Sequence, residues 1–291
     1  MKLQHFYEKV VKFGIDRDPR KKALISSYAD TAILYGKPKT EVKSILVGID
    51  IEAAELLLAD RLRRKQRLDL VISHHPEGRA YAALYEVMQL QVDLLAKAGI
   101  SRQVAGKLLE ERKREVERRV LPQNHMRSID VARLLDLPFM CMHTPADNHA
   151  STFIQELMRR QKPKKVQDIV AILMGLPEYK EAAAELAGPR IILGSPRRPA
   201  GKTFVEMTGG TEGSREVYDK LYKQGIRTLI CMHLSEEHFK KVRDANLNVV
   251  IAGHISSDAL GLNLLLDRIE QEAGEKFQTL DCSGFRRIRR N

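Results

Sequence analysis

Seven short runs of apolar and β-branched residues recur along the 291-residue chain, at 44–50, 68–73, 138–143, 190–193, 203–207, 227–233 and 247–254. Segments with helical spacing follow several of them: IEAAELLLADRLRR after the first, SREVYDKLYKQG after the fifth and SEEHFKKVRDAN after the sixth. A strand that leads repeatedly into a helix is the pattern of an α/β fold with mainly parallel sheets, because parallel neighbours need a crossover between them.

Residues 79–137 interrupt this rhythm with no strand signal. They predict two long helices, 81–100 and 101–122, joined at Gly99 with Ser101 as N-cap, an appended helical hairpin. A segment rich in Pro, Gly and basic residues begins near 159, so the division is placed as 1–155, an N-terminal α/β half carrying the inserted helices 79–137, and 156–291, a C-terminal α/β half. The strings FMCMHTPAD and LICMHLSEE both carry Cys-Met-His at a strand end, which would set Cys141 with His143 and Cys231 with His233 in related places of two similar halves.

Composition narrows the class. A content of 43% hydrophobic and 30% charged residues is that of a soluble globular protein. Three widely spaced cysteines without a C-x-x-C pair argue against a disulfide framework or a zinc knuckle and fit a reducing cytoplasm. The N-terminus lacks an export signal, and no window approaches a membrane span. A net charge of +11 raises an acidic partner such as nucleic acid or a phosphorylated molecule. The basic clusters are scattered, however, and 5% aromatics with no Trp leave little for base stacking, so solubility charge is the preferred reading over nucleic-acid contact.

Five of the nine histidines, His74, His75, His143, His233 and His254, fall at or just after a strand end. In LDLVISHHPEGRA the neighbours His74 and His75 would point to opposite faces of a regular strand. Pro76 and the Glu77-Gly78 pair turn the chain there, so both can serve one site at the strand's C-terminal end, where open α/β sheets bind ligands. Asp147 follows His143 by four residues, and Asp258 follows His254 by four. Mixed imidazole and carboxylate donors suit zinc, iron, manganese or cobalt rather than magnesium or calcium alone.

DLVISHHP, HTPAD and AGHISSD, in that order, resemble the Nif-three-like family of dinuclear-metal proteins, also described as GTP cyclohydrolase type two homologues. The resemblance runs from about residue 24 to about residue 270. It implies two interlinked three-layer α/β domains of related topology, two divalent metal ions in the cleft between them and a toroidal homohexamer. It also implies that His74, His75, Asp147, His254 and Asp258 are the metal ligands. Asp258 stands where the family has glutamate, and Met232 with His233 stand where it usually has Thr-Gly before an acidic residue. The long separation of His75 from His143 fits an insertion.

Five ligands shared by two ions leave positions for water and substrate, as in two-metal hydrolysis, with His143 or His233 as proton carriers. Gly209, Gly210 and Gly213, in EMTGGTEGSREVYDK, offer backbone N–H groups to a phosphate; a tight strand-to-helix turn is the preferred reading of the same glycines. The sequence therefore points to a cytoplasmic metal-dependent hydrolase acting on a nucleotide or other phosphate-bearing small molecule, GTP ring opening being one version. A non-catalytic metal-binding hexamer or regulatory partner-binding protein is the first alternative and a nucleic-acid-binding protein the second.

Overall fold

The computed structural model describes residues 1–20, 22 and 25–290. Among them the strands are β1 (Thr31–Tyr35), β2 (Ser44–Gly48), β3 (Leu70–Ser73), β4 (Phe139–Met142), β5 (Arg190–Leu193), β6 (Lys202–Glu206), β7 (Ile226–Cys231), β8 (Asn248–Ile251) and β9 (Gln278–Asp281). The helices are α1 (Leu3–Arg17), α2 (Ala53–Arg63), α3 (Gly78–Ala82), α4 (Leu84–Val87), α5 (Leu90–Lys97), α6 (Arg102–Val120), α7 (Arg127–Leu134), α8 (Thr144–Gln161), α9 (Val166–Leu173), α10 (Pro177–Ala184), α11 (Tyr218–Lys223), α12 (Glu236–Asp244) and α13 (His254–Ala273). No helix of the described residues is long and apolar enough to cross a membrane.

The first sheet has the order β1-β4-β3-β2-β9 and the second β5-β8-β7-β6. In each, the half's first strand lies antiparallel at the edge beside its last strand, and the remaining pairs are parallel. The two halves thus share one topology, as expected. The Cys-Met-His echo does not follow it: the counterpart of β4 is β8, and that of β7 is β3, so Cys141 and Cys231 end non-equivalent strands. The repeat that does follow topology is His-x-x-x-Asp, at the start of α8 after β4 and at the start of α13 after β8.

Central strands are apolar on both sides because both sides are covered. In the first sheet Leu46, Val71 and Phe139 face Leu56 and Ala59 of α2 and Ile129 and Ala132 of α7. The alternate residues Ile45, Val47, Leu70, Ile72 and Met140 face α1, α8 and α13. In the second sheet Val205, Ile230 and Val250 pack on Ile154 and Met158 of α8, Leu260 of α13 and Ile169 of α9. Helices α8 and α13 therefore form a layer between the sheets, and each fully buried Leu, Ile or Val contributes roughly 1.5–3 kcal/mol to it. After α13 the chain returns to the first sheet, where β9 pairs with β2, which interlinks the halves.

The inserted segment departs from its predicted shape. Ser101 caps α6, its Oγ accepting from Val104 N–H, but 81–100 is three short helices rather than one, and at Ala83 the backbone leaves the helical region (φ −96°, ψ 9°). Nor is the hairpin an appendage of its own half. Val92, Leu95, Ala105 and Leu109 pack against Phe204, Leu229 and Val249, so α5 and α6 cover the outer face of the second sheet.

Candidate metal centre

The parallel strands of both sheets end at one cleft, and α8 and α13 start there. Gly261 of α13 has no room for a Cβ against the Ala146 carbonyl, so the two helices meet backbone to backbone beside their N-termini. Gly253, at φ 111°, makes the turn from β8 into α13 and leaves His254 as the first helical residue. One turn on, Asp258 lies on the same helix face as His254, and Asp147 stands likewise after His143.

The structure brings together all five residues that the motifs single out as ligands. His74 Nε2 lies 3.3 Å from Asp147 Oδ1 and 3.4 Å from Asp258 Oδ1. The other oxygen of Asp258, Oδ2, lies 3.4 Å from His75 Nε2 and 3.5 Å from His254 Nε2. Three overlapping sets have donor atoms all within 4.8 Å of one another: His74, Asp147 and Asp258; His75, His254 and Asp258; His74, His75 and His143. His143 Nε2 faces Asp147 Oδ2 at 3.7 Å. His233 belongs to none of these sets; its ring lies 4.9 Å from that of His254, on the opposite wall.

These residues fit a divalent cation. Both ring nitrogens of His74, Oδ1 of Asp147 and both oxygens of Asp258 are buried without a hydrogen-bond partner. Buried polar atoms left so are costly, on the order of 1–3 kcal/mol each, unless something else binds them. Two donors at about 2.1 Å from a tetrahedral ion stand about 3.4 Å apart, which is the spacing found here.

Electrostatics point the same way. Burial by itself would depress the His74 imidazole, but Asp258 and Asp147 outweigh it and hold its pKa up at about 10. Burial also opposes the charge on His75, and Asp258 with Asp50 raises it to about 9. Asp258 is pushed the other way, below the usual carboxylate range: burial alone would raise it, and the imidazoles of His74 and His75 prevail. His254 falls below the ordinary imidazole value because burial is only partly offset by Asp258.

Two aspartates that no motif singles out orient the rings. His75 Nδ1–H donates to Asp50 Oδ1 at 2.6 Å, and His143 Nδ1–H donates to Asp30 Oδ2 at 2.7 Å. Each bond fixes the tautomer that turns Nε2 to the centre. Asp30 is fully buried and also accepts from Thr144 Oγ1 at 2.6 Å. Asp50 closes the run SILVGID, a carboxylate at a strand's C-terminal end, and that was the available signal; Asp30 had none.

The opposite wall of the cleft carries Glu206, the last residue of β6, Glu212 and His233. Glu212 is depressed to about 2; burial opposes this, and His233 and the Ser235 N–H, which donates to it at 2.6 Å, prevail. Burial raises the Glu206 carboxyl, and Glu212 raises it further. The glycine-rich loop 207–214 follows Glu206 and carries Glu212, with Gly210 on the cleft; Gly209 and Gly213 are turned to the inserted helices. A short 3-10 turn, Arg215–Val217, and the six-residue α11 follow the loop.

Fold and site together define a two-domain α/β protein with a buried imidazole–carboxylate centre able to hold a metal ion. The chain bears a likeness to the NIF3-like family. It is similar over 93% of its length, and over 96% of the other chain, to a NIF3 superfamily protein from Sphaerobacter thermophilus, at 29% identity and a TM-score of 0.76. Reduced HcgD from Methanocaldococcus jannaschii (14% identity, TM-score 0.60) and a protein from Thermus thermophilus (14%, 0.53) share the fold, each over 97% of this chain and 98% of their own. No protein-family model and no curated protein matches the chain.

Proposed function

We propose that the protein is a dinuclear metal-dependent hydrolase, one ion held by His74, Asp147 and Asp258 and the other by His75, His254 and Asp258, with zinc, iron, manganese or cobalt as the metals. The observation that carries this reading is the division of Asp258, whose two buried oxygens face different imidazoles, Oδ1 toward His74 and Oδ2 toward His75 and His254. When bound, such a pair supplies Lewis acidity and lowers the pKa of water. The chain's own residues do the rest. Asp30 holds His143 with Nε2 in the cleft, placed to take or give a proton there. Glu206, with its carboxyl raised by burial, keeps a proton to a higher pH than an ordinary glutamate on the facing wall, and His233 stands beside it, raised by Glu212.

The substrate class that suits the centre is a small molecule presenting an oxyanion, such as a nucleotide or other phosphate ester, and GTP ring opening remains one version. Of the three loop glycines Gly210 alone lines the cleft, so the further phosphate contact in this proposal is its backbone N–H, and Gly209 and Gly213, packed against Gln91, take no part in it. The assembly is a homohexamer, as the family resemblance implies. Nucleic-acid binding is less favoured, because much of the basic C-terminal run is spent internally: Arg287 pairs with Asp267 and Glu270, Arg289 with Glu270 and Arg290 with Glu178. The test is metal analysis of purified protein followed by turnover assays on nucleotides and phosphoesters. About two ions per chain with turnover supports the hydrolase. Two ions and no turnover shifts the reading to a metal-binding or regulatory hexamer, and none after reconstitution refutes both.

A further inference from the structure

The loop 207–214 is gripped from outside its own half. Gln91, on α5 of the inserted segment, is buried, and its Nε2 donates to the carbonyls of Gly209 at 2.9 Å and Thr211 at 2.7 Å. Arg112, on α6, donates through Nε to the Glu212 carbonyl at 3.1 Å. The glycines fit this contact. A Cβ on Gly209 would meet Gln91 Cγ at 2.6 Å, one on Gly210 would meet Val87 Cγ2 at 2.8 Å, and one on Gly213 would run into Gln91 Oε1. On its other side the loop is held by α12, where His238 Nε2–H donates to the Gly213 carbonyl at 3.0 Å. Thr208, Gly210, Thr211 and Glu212 of this loop line the cleft that His143, Asp147 and Asp258 line from the other side.

We propose that Gln91 is a positioning residue, through which the inserted helices fix the glycine loop and so the Glu212 wall of the cleft, and thereby set ligand affinity at the centre. The inference deepens the hydrolase reading, resting on its claim that the cleft takes the ligand. A lone buried glutamine satisfied by two carbonyls would stabilise the fold and nothing more. The positioning role requires that loosening the loop changes binding at a centre that contains none of the altered atoms.

The experiment uses the full chain with Gln91→Met, which keeps the volume and removes the donor, and Gly213→Ala, whose methyl group displaces the Gln91 amide. Gly213 is not in the left-handed region, so alanine there is strained only by the contact. In both variants amide exchange across 209–213 is expected to rise roughly tenfold or more, with β3 and the first turn of α13 unchanged. In cobalt-loaded protein the cobalt content is expected to stay at the wild-type value while affinity for inorganic phosphate, read from the visible cobalt spectrum, shifts at least about fivefold. The double variant is expected to be no worse than either single one, since both break the same contact. Unchanged loop exchange, phosphate affinity within about twofold of wild type, or additive effects would overturn the proposal. Loop exchange and additivity are read on metal-free protein too, so a centre that binds no cobalt fails the hydrolase reading without deciding the clamp. Should Gln91→Met not fold, Gly213→Ala carries the same readouts.

Discussion

Loading the centre with metal at pH 7 should release at least two protons per chain, one each from His74 and His75, with any ionised metal-bound water adding to the count. In the metal-free protein His74 is held at about 10 and His75 at about 9, so both are imidazolium at pH 7. Asp258 lies below the usual carboxylate range and His254 below the ordinary imidazole value, so neither has a proton to give at that pH. Metal binding requires neutral imidazole. Stripping His74 and His75 at pH 7 costs on the order of 4 and 3 kcal/mol, three and two pH units at about 1.4 kcal/mol each. The combined affinity for two ions should therefore climb at least about a hundredfold per pH unit from pH 7 until His75 has titrated near pH 9. The metal-free protein should show the opposite trend in stability. Its two imidazoles keep protons that an unfolded chain loses near 6.5, so the stability they contribute is complete below that pH and is lost as pH rises through about 9 to 10. Titration calorimetry of zinc binding in two buffers of different ionisation enthalpy gives the proton count directly. A count of zero, with an affinity flat in pH, would refute the assignment of these rings as ligands.

Asp50→Asn should weaken the ion held by His75 and His254 by about ten- to a hundredfold while sparing the other, because only the ring orientation of His75 is touched; metal-competition titration reads this as two separated affinities. His149 is buried, and burial, with Arg17 and Arg268 nearby, depresses it to about 4. An unfolded chain takes up that proton below about 6.5, so His149 should remove about 3 kcal/mol of stability as pH falls from 6.5 to 4, and His149→Gln should flatten the urea-unfolding profile over that window. Phe285, fully buried in the first core, anchors the C-terminal run; Phe285→Ala should cost about 3–5 kcal/mol in the same assay.

What the sequence disclosed follows from how much each element is constrained. The runs at β2, β3 and β4 read clearly because those strands are buried on both faces and admit little but apolar residues. Strand β9 has one apolar residue, Leu280, and sits exposed at an edge, while β1 leads into another strand rather than a helix; neither carries the signal that marks the rest. The apolar stripes of α5 and α6 say that one side is buried but not against what, so their position over the second sheet was illegible. At the centre, His143 with Asp147 and His254 with Asp258 are visible because one helical turn places both members of a pair on one face. Asp30 and Asp50 act on histidines 113 and 25 residues away, at distances along the chain that carry no pattern. Glu206 precedes, and Glu212 belongs to, a loop whose place in the cleft depends on the fold of both halves.

The central claim is that Asp258 joins two metal sites. Crystals of the cobalt- or zinc-loaded protein, with anomalous diffraction data collected at the absorption edge of the added metal, test it most directly. Two adjacent peaks are expected in each chain, one against His74 and Asp147 and the other against His75 and His254, with one oxygen of Asp258 on each. A single peak, or peaks that leave Asp258 without a metal contact, would contradict it.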